Sequence, residues 1–73
     1  MTLSKVKKVL RDYDERLKMD AHIHWMCQEV QKFRPSKTEK AMRWLGFIQG
    51  YLYTTGEFTI NELKRHNKQR DRQ

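Results

Sequence analysis

Two sets of residues in this 73-residue chain could do chemistry: its single thiol with its three imidazoles, and a run of aromatics interleaved with cations. Cys27 stands three residues after His24, so on a helix the two could share one metal ion or pair a thiolate with a base. His22 and His24, two apart, point to different sides of a helix and do not form an i, i+4 metal pair. With His66 the remaining soft ligand, a tetrahedral site would need a carboxylate or a partner chain to complete it. As a nucleophile, Cys27 on an amphipathic helix has no oxyanion donors beside it, and a buried free cysteine commonly acts as a small apolar residue. Asp12, Asp14 and Glu15 cluster, with Asp14 four residues before Lys18, a spacing that suits a solvated helix face better than an acid/base pair. No phosphate-cradling glycine loop and no serine nucleophile elbow occur in the sequence. These observations predict a protein that is not an enzyme and that holds no metal or cofactor.

The second set is Lys40, Arg43, Trp44, Phe47 and Tyr51. At ~100° per residue, Ala41, Leu45, Ile48 and Leu52 fall within a narrow arc that must face a core. Trp44, Phe47 and Tyr51 form an aromatic flank beside that arc, with Lys40 and Arg43 next to or among them. Such a strip could stack a base while its cations neutralise phosphates. Equally, a second helix could pack on the aromatics and leave the cations snorkelling at the rim. Gly46 and Gly50 lie on a third arc, roughly opposite the aliphatic one. Each costs up to ~1 kcal/mol against alanine inside a helix, so a close helix contact is expected there. The approaching body could be another helix of the chain, a second subunit or a flat ligand.

Sixteen Lys and Arg against nine Asp and Glu give a net charge of +7, which points to an anionic partner: nucleic acid, a nucleotide or an acidic protein surface. The cations fall in three groups: Lys5, Lys7, Lys8 and Arg11; Lys32, Arg34, Lys37, Lys40 and Arg43; and Lys64, Arg65, Lys68, Arg70 and Arg72. Folding could gather them on one face or spread them. With 37% hydrophobic residues the chain can build one modest core, and pairing into a homo-oligomer would add burial. One cysteine excludes an internal disulfide and fits a reducing cytoplasm. The longest apolar stretch, Trp44-Leu45-Gly46-Phe47-Ile48, is far short of the ~20 residues of a membrane span, so no membrane insertion is expected.

The elements that must position these residues read as all-α, a small single domain of three or four helices. Leu3, Val6, Leu10, Tyr13 and Leu17, with Val9 beside them, mark one apolar helical face. Ile23, Met26, Cys27, Val30 and Phe33 mark the next. Asp20 is a possible N-cap between the two, the alternative being one bent helix over residues 3–33. Pro35 ends the segment, because Arg34 before it is pushed toward extended geometry. Ser36-Lys37-Thr38-Glu39 matches a capping box opening a helix that stops near Gly56, and Thr59-Ile60-Asn61-Glu62 matches a second one, opening a short helix with Leu63. Apolar periodicity is lost from Lys64 onward, which predicts fraying, with residues 68–73 a basic tail.

From Glu39 the run Glu39-Lys40-Ala41-Met42-Arg43-Trp44-Leu45-Gly46-Phe47-Ile48-Gln49-Gly50, followed by Thr59-Ile60-Asn61-Glu62-Leu63 and His66-Asn67, resembles a family of small tailed-bacteriophage proteins. The resemblance covers roughly the C-terminal half, and its most specific part is the Arg-Trp-Leu-Gly-Phe-Ile-Gln-Gly string. It implies an accessory protein working in the cytoplasm of the infected bacterium against host defence or host machinery. Such a protein could act by holding an anionic ligand or by docking its basic face on an acidic host protein. No functional residue is carried over from the family.

Overall fold

The computed structural model describes residues 1–68 and folds them into five α-helices: α1 (Leu3–Asp12), α2 (Asp14–Leu17), α3 (Ala21–Val30), α4 (Thr38–Thr54) and α5 (Ile60–Asn67). A 3-10 turn, Pro35–Lys37, leads into α4, and no strand occurs among the described residues. The fold is therefore all-α. α2 is a single turn that prolongs α1, because Tyr13 between them keeps a helical backbone (φ −88°, ψ −8°). The apolar face consequently runs unbroken across the join, and Val6, Val9, Leu10, Tyr13 and Leu17 are all buried.

Between the first and second apolar faces the chain breaks. Asp20 turns extended (φ −115°, ψ 104°) and its carboxylate accepts from the Ile23 amide at 3.1 Å, so the segment is two helices and Asp20 is the cap. His24 Nε2 sits 2.8 Å from Asp14 Oδ1 across this break, tying α2 to α3. Asp14 is thus occupied by His24, and Lys18 pairs with Glu15 at 3.1 Å instead of with Asp14. Further on, Arg34 is extended before Pro35 (φ −89°, ψ 165°), as the proline requires.

The first capping box does not form. Pro35 starts a helical turn of its own, which places Ser36 inside that turn with no capping bond from its side chain, and α4 begins two residues later than expected, at Thr38. The Thr38 hydroxyl donates to the Pro35 carbonyl at 2.7 Å and so joins the turn to the helix. At the other end α4 stops as expected. Gly56 adopts φ +83°, the Gly56 amide donates to the Tyr53 carbonyl at 3.1 Å, and the Glu57 amide donates to the Leu52 carbonyl at 2.9 Å. This pairing is a Schellman motif, which needs a residue that tolerates the left-handed region.

The second capping box is complete: Thr59 Oγ1 accepts from the Glu62 amide at 3.1 Å and Glu62 Oε1 accepts from the Thr59 amide at 2.8 Å. The Thr59 amide bond holds the Glu62 carboxyl below its usual range, with the Thr59 hydroxyl and the charges of Arg65 and His66 acting the same way. A depressed carboxyl stabilises the fold above its ordinary range and loses that contribution as pH falls through the lowered value. Acidification should therefore loosen the start of α5 before the rest of the fold, seen as earlier loss of amide protection at Glu62 and Leu63. Equal loss at α1 and α5 would contradict this.

α4 packs on α1 and α3, which also touch each other. Leu10, Leu17, Val30, Ile48 and Leu52 lie fully buried at their junction. Cys27 belongs to this core: its thiol donates to the Leu10 carbonyl at 2.9 Å, and burial, with the charge of Asp14, pushes it up to about 11. α5 docks through Leu63 and through polar side chains. Gln49 Nε2 donates to Tyr13 OH at 2.9 Å and to Asn67 Oδ1 at 2.8 Å, Asn67 Nδ2 returns a bond to Gln49 Oε1 at 2.8 Å, and Tyr13 OH lies 2.6 Å from His66 Nδ1. These anchors hold the helix through Asn67, where loss of apolar periodicity had predicted fraying from Lys64. Arg70, Arg72 and the rest of residues 69–73 lie outside the described residues.

Gly46 and Gly50 do not meet another helix of the chain. A methyl group built on either would find nothing within 4 Å, because both face outward, away from α1 and α3. Replacing each with alanine should then raise the stability of the isolated chain by about 0.5–1 kcal/mol through backbone entropy. Thermal melting checks this, and a fall in melting temperature would show an unseen close contact. Sedimentation of the same variants tests the expected homo-oligomer, which alanine at a subunit contact would weaken.

Candidate aromatic and cationic binding ledge

The cap at Asp20 sets the phase of α3 so that Ile23, Met26, Cys27 and Val30 point inward. Trp25 falls off that stripe and stays 49% exposed. It stacks on His22, one turn earlier, with ring centroids 5.8 Å apart and planes 23° apart. Across the gap to α4, Trp25 meets Trp44 at 6.0 Å, and Trp44 meets Phe33 at 5.4 Å. The rings of His22, Trp25, Trp44 and Phe33 thus form a row from α3 across to α4. Lys40, one turn before Trp44, places its ammonium 5.1 Å from the Trp44 ring and 5.6 Å from Phe33. At a surface such a contact contributes ~0.5–1 kcal/mol.

The five residues of the strip share one side of α4 but divide in role. Lys40 and Trp44 belong to the row. Phe47 is 58% exposed and Arg43 is exposed, both on the outward continuation of the same arc. Tyr51 and the inner side of Trp44 pack against the core, so the packing reading holds for these two. Exposed Trp25 and its stacking on His22, like the contact of Phe33 with Trp44, are not part of the strip that the spacing on α4 predicts. The available signal was a tryptophan lying off an otherwise complete buried stripe.

The cations do not gather on one face. Lys40 and Arg43 border the ledge, while Lys5, Lys8 and Arg65, from the first and last groups, line a separate recess beside α5. His24 and Cys27 do not converge, since His24 turns to Asp14 and the Cys27 thiol to the Leu10 carbonyl. Among the described residues no cluster of three His, Cys, Asp or Glu could hold a metal ion, and no helix is long and apolar enough to cross a membrane.

Fold and surface together define a small, basic, all-helical domain with a row of rings beside Lys40, exposed at His22 and Trp25 and half-buried at Trp44 and Phe33. Comparison of the chain with protein families, with curated proteins and with solved structures gives no match in any of the three.

Proposed function

We propose that the protein is a non-enzymatic binder of single-stranded nucleic acid, using the ledge of Trp25, Trp44 and Phe47 with Lys40 and Arg43. The observation that carries this reading is the Lys40 ammonium held over Trp44 and Phe33 while Trp25 and Phe47 remain about half exposed. Unpaired bases stack on exposed rings, at about 1–3 kcal/mol per base, and cations beside the rings neutralise the intervening phosphates. The ledge is an open row of rings, which suits successive bases better than one enclosed nucleotide. A net charge of +7 favours the encounter.

The string that resembles tailed-bacteriophage proteins lies on α4 and contains Arg43, Trp44 and Phe47. It supports placing this activity in the cytoplasm of an infected bacterium, directed at host machinery or host defence. Fluorescence anisotropy with labelled single-stranded and double-stranded oligonucleotides, at low and raised salt, tests the reading. Tighter binding to the single strand, with affinity falling steeply with salt, is expected. Equal binding to both forms would remove the role of stacking.

The second reading is a protein–protein inhibitor docking this basic face on an acidic host protein, which exposed Met42 and Phe47 beside Arg43 favour. Its mark is a one-to-one complex that survives nuclease digestion.

A further inference from the structure

On the other flank of α4, about 140° around the helix from Trp44, Gln49 faces α5 and the start of the chain. Here a recess of about 300 Å³ opens between α1 and α5, at the lower end of the size range for small-ligand sites. One wall is a single helical face carried across the join of α1 and α2, with Lys5, Lys8, Asp12 and Arg16 at spacings of three and four. The other carries Phe58, Arg65 and His66.

The charges lining this recess are unequal: four cations, Lys5, Lys8, Arg16 and Arg65, against Asp12 alone. Lys8 is engaged by Asp12 at 3.2 Å, and Arg16 by Glu57 at 2.8 Å while its guanidinium lies 4.8 Å above the Phe58 ring. Lys5 and Arg65 have no ion-pair partner among the described residues. The hydrogen bonds at the floor reach His66. Gln49 donates one amide hydrogen to Asn67 Oδ1 and the other to Tyr13 OH, which leaves the Tyr13 proton free for His66 Nδ1, 2.6 Å away. Burial pushes the Tyr13 hydroxyl up, which keeps it protonated as this donor. With Nδ1 accepting that proton, a neutral His66 carries its hydrogen on Nε2, where a ligand can take it.

We propose that this recess binds a phosphate monoester, with Lys5, Arg65 and the His66 Nε2–H donating to the phosphoryl oxygens and Phe58 with Val9 contacting the organic group. A monoester carries close to two negative charges near neutral pH, which matches two unpaired cations and one neutral donor. The site is separate from the ledge and shares none of its residues, so it stands or falls apart from nucleic-acid binding there.

The test is a titration of the full chain with phenyl phosphate, inorganic phosphate and benzoate at low ionic strength, followed by calorimetry and by NMR of assigned resonances. Saturable one-to-one binding of phenyl phosphate, tighter than inorganic phosphate or benzoate, with shifts at Lys5, Phe58, Arg65 and His66, is expected. The pair Lys5→Gln and Arg65→Gln, at a half-buried and an exposed position, should weaken it at least tenfold with an unchanged circular dichroism spectrum. Lys40→Gln should leave it unaltered. Nitrogen NMR shifts of His66 should report the Nε2–H tautomer. Non-saturating binding, shifts confined to the ledge, benzoate binding as tightly as phenyl phosphate, or full affinity in the double variant would each overturn the proposal.

Discussion

Leu52→Ala should come close to unfolding the protein. Leu52 is fully buried on the core face of α4, and its carbonyl also accepts the Glu57 amide that closes the helix at Gly56. Truncating a buried leucine removes its transfer free energy and leaves a cavity, about 2–5 kcal/mol together. Native domains hold only about 5–15 kcal/mol, and a chain this short sits toward the bottom of that range. At about 4–8 °C per kcal/mol for a domain of this size, the melting temperature should fall by at least about 8 °C. Phe47→Ala, on the same helix but 58% exposed, should change stability by no more than about 0.5 kcal/mol. Thermal melts of the two variants side by side check the assignment of inner and outer faces. Equal losses would mean that α4 is rotated from the phase described.

The second large effect is on binding. Trp25→Ala removes the exposed ring of the row and should weaken single-stranded oligonucleotide binding by about 1–3 kcal/mol, roughly 5- to 150-fold, the value of one stacked base. Lys40→Gln should act differently. It removes one phosphate contact, so the slope of log affinity against log salt should become shallower by about 0.7. Trp25→Ala should leave that slope unchanged, since it alters stacking and not charge. Both side chains lie at the surface or rim, and circular dichroism should show the fold retained. A change in slope with Trp25→Ala, or none with Lys40→Gln, would contradict the division of labour assigned to ring and cation.

Much of this fold is legible from spacing alone. The apolar face from Val6 to Leu17, the stripe from Ile23 to Val30 and the arc of Ala41, Leu45, Ile48 and Leu52 are all buried as the periodicity requires. Local chemistry also reads correctly where no signal competes: Thr59 and Glu62 cap reciprocally and Gly56 ends α4, while the choice between an Asp20 cap and one bent helix, open in the sequence, falls to the cap. Where two local signals compete, pattern misleads. Ser36 matches a capping box, but Pro35 one residue earlier begins a turn that takes Ser36 out of the cap position. The order of α5 through Asn67 depends on Tyr13 and Gln49, 53 and 18 residues away in sequence from their partners His66 and Asn67. No local pattern encodes such pairings. The ledge was half legible for the same reason: Lys40 and Trp44 share a helix, whereas Trp25 joins them only through the packing of α3 on α4.

The chain has two tryptophans, Trp25 and Trp44, and both lie in the ledge. Their emission therefore reports directly on that surface. Titrating the protein with a single-stranded pyrimidine oligonucleotide should quench the emission in step with binding, most of the change arising from Trp25 and largely lost in Trp25→Phe. Binding detected by an independent signal with the tryptophan emission unaltered would contradict the ledge as the nucleic-acid site.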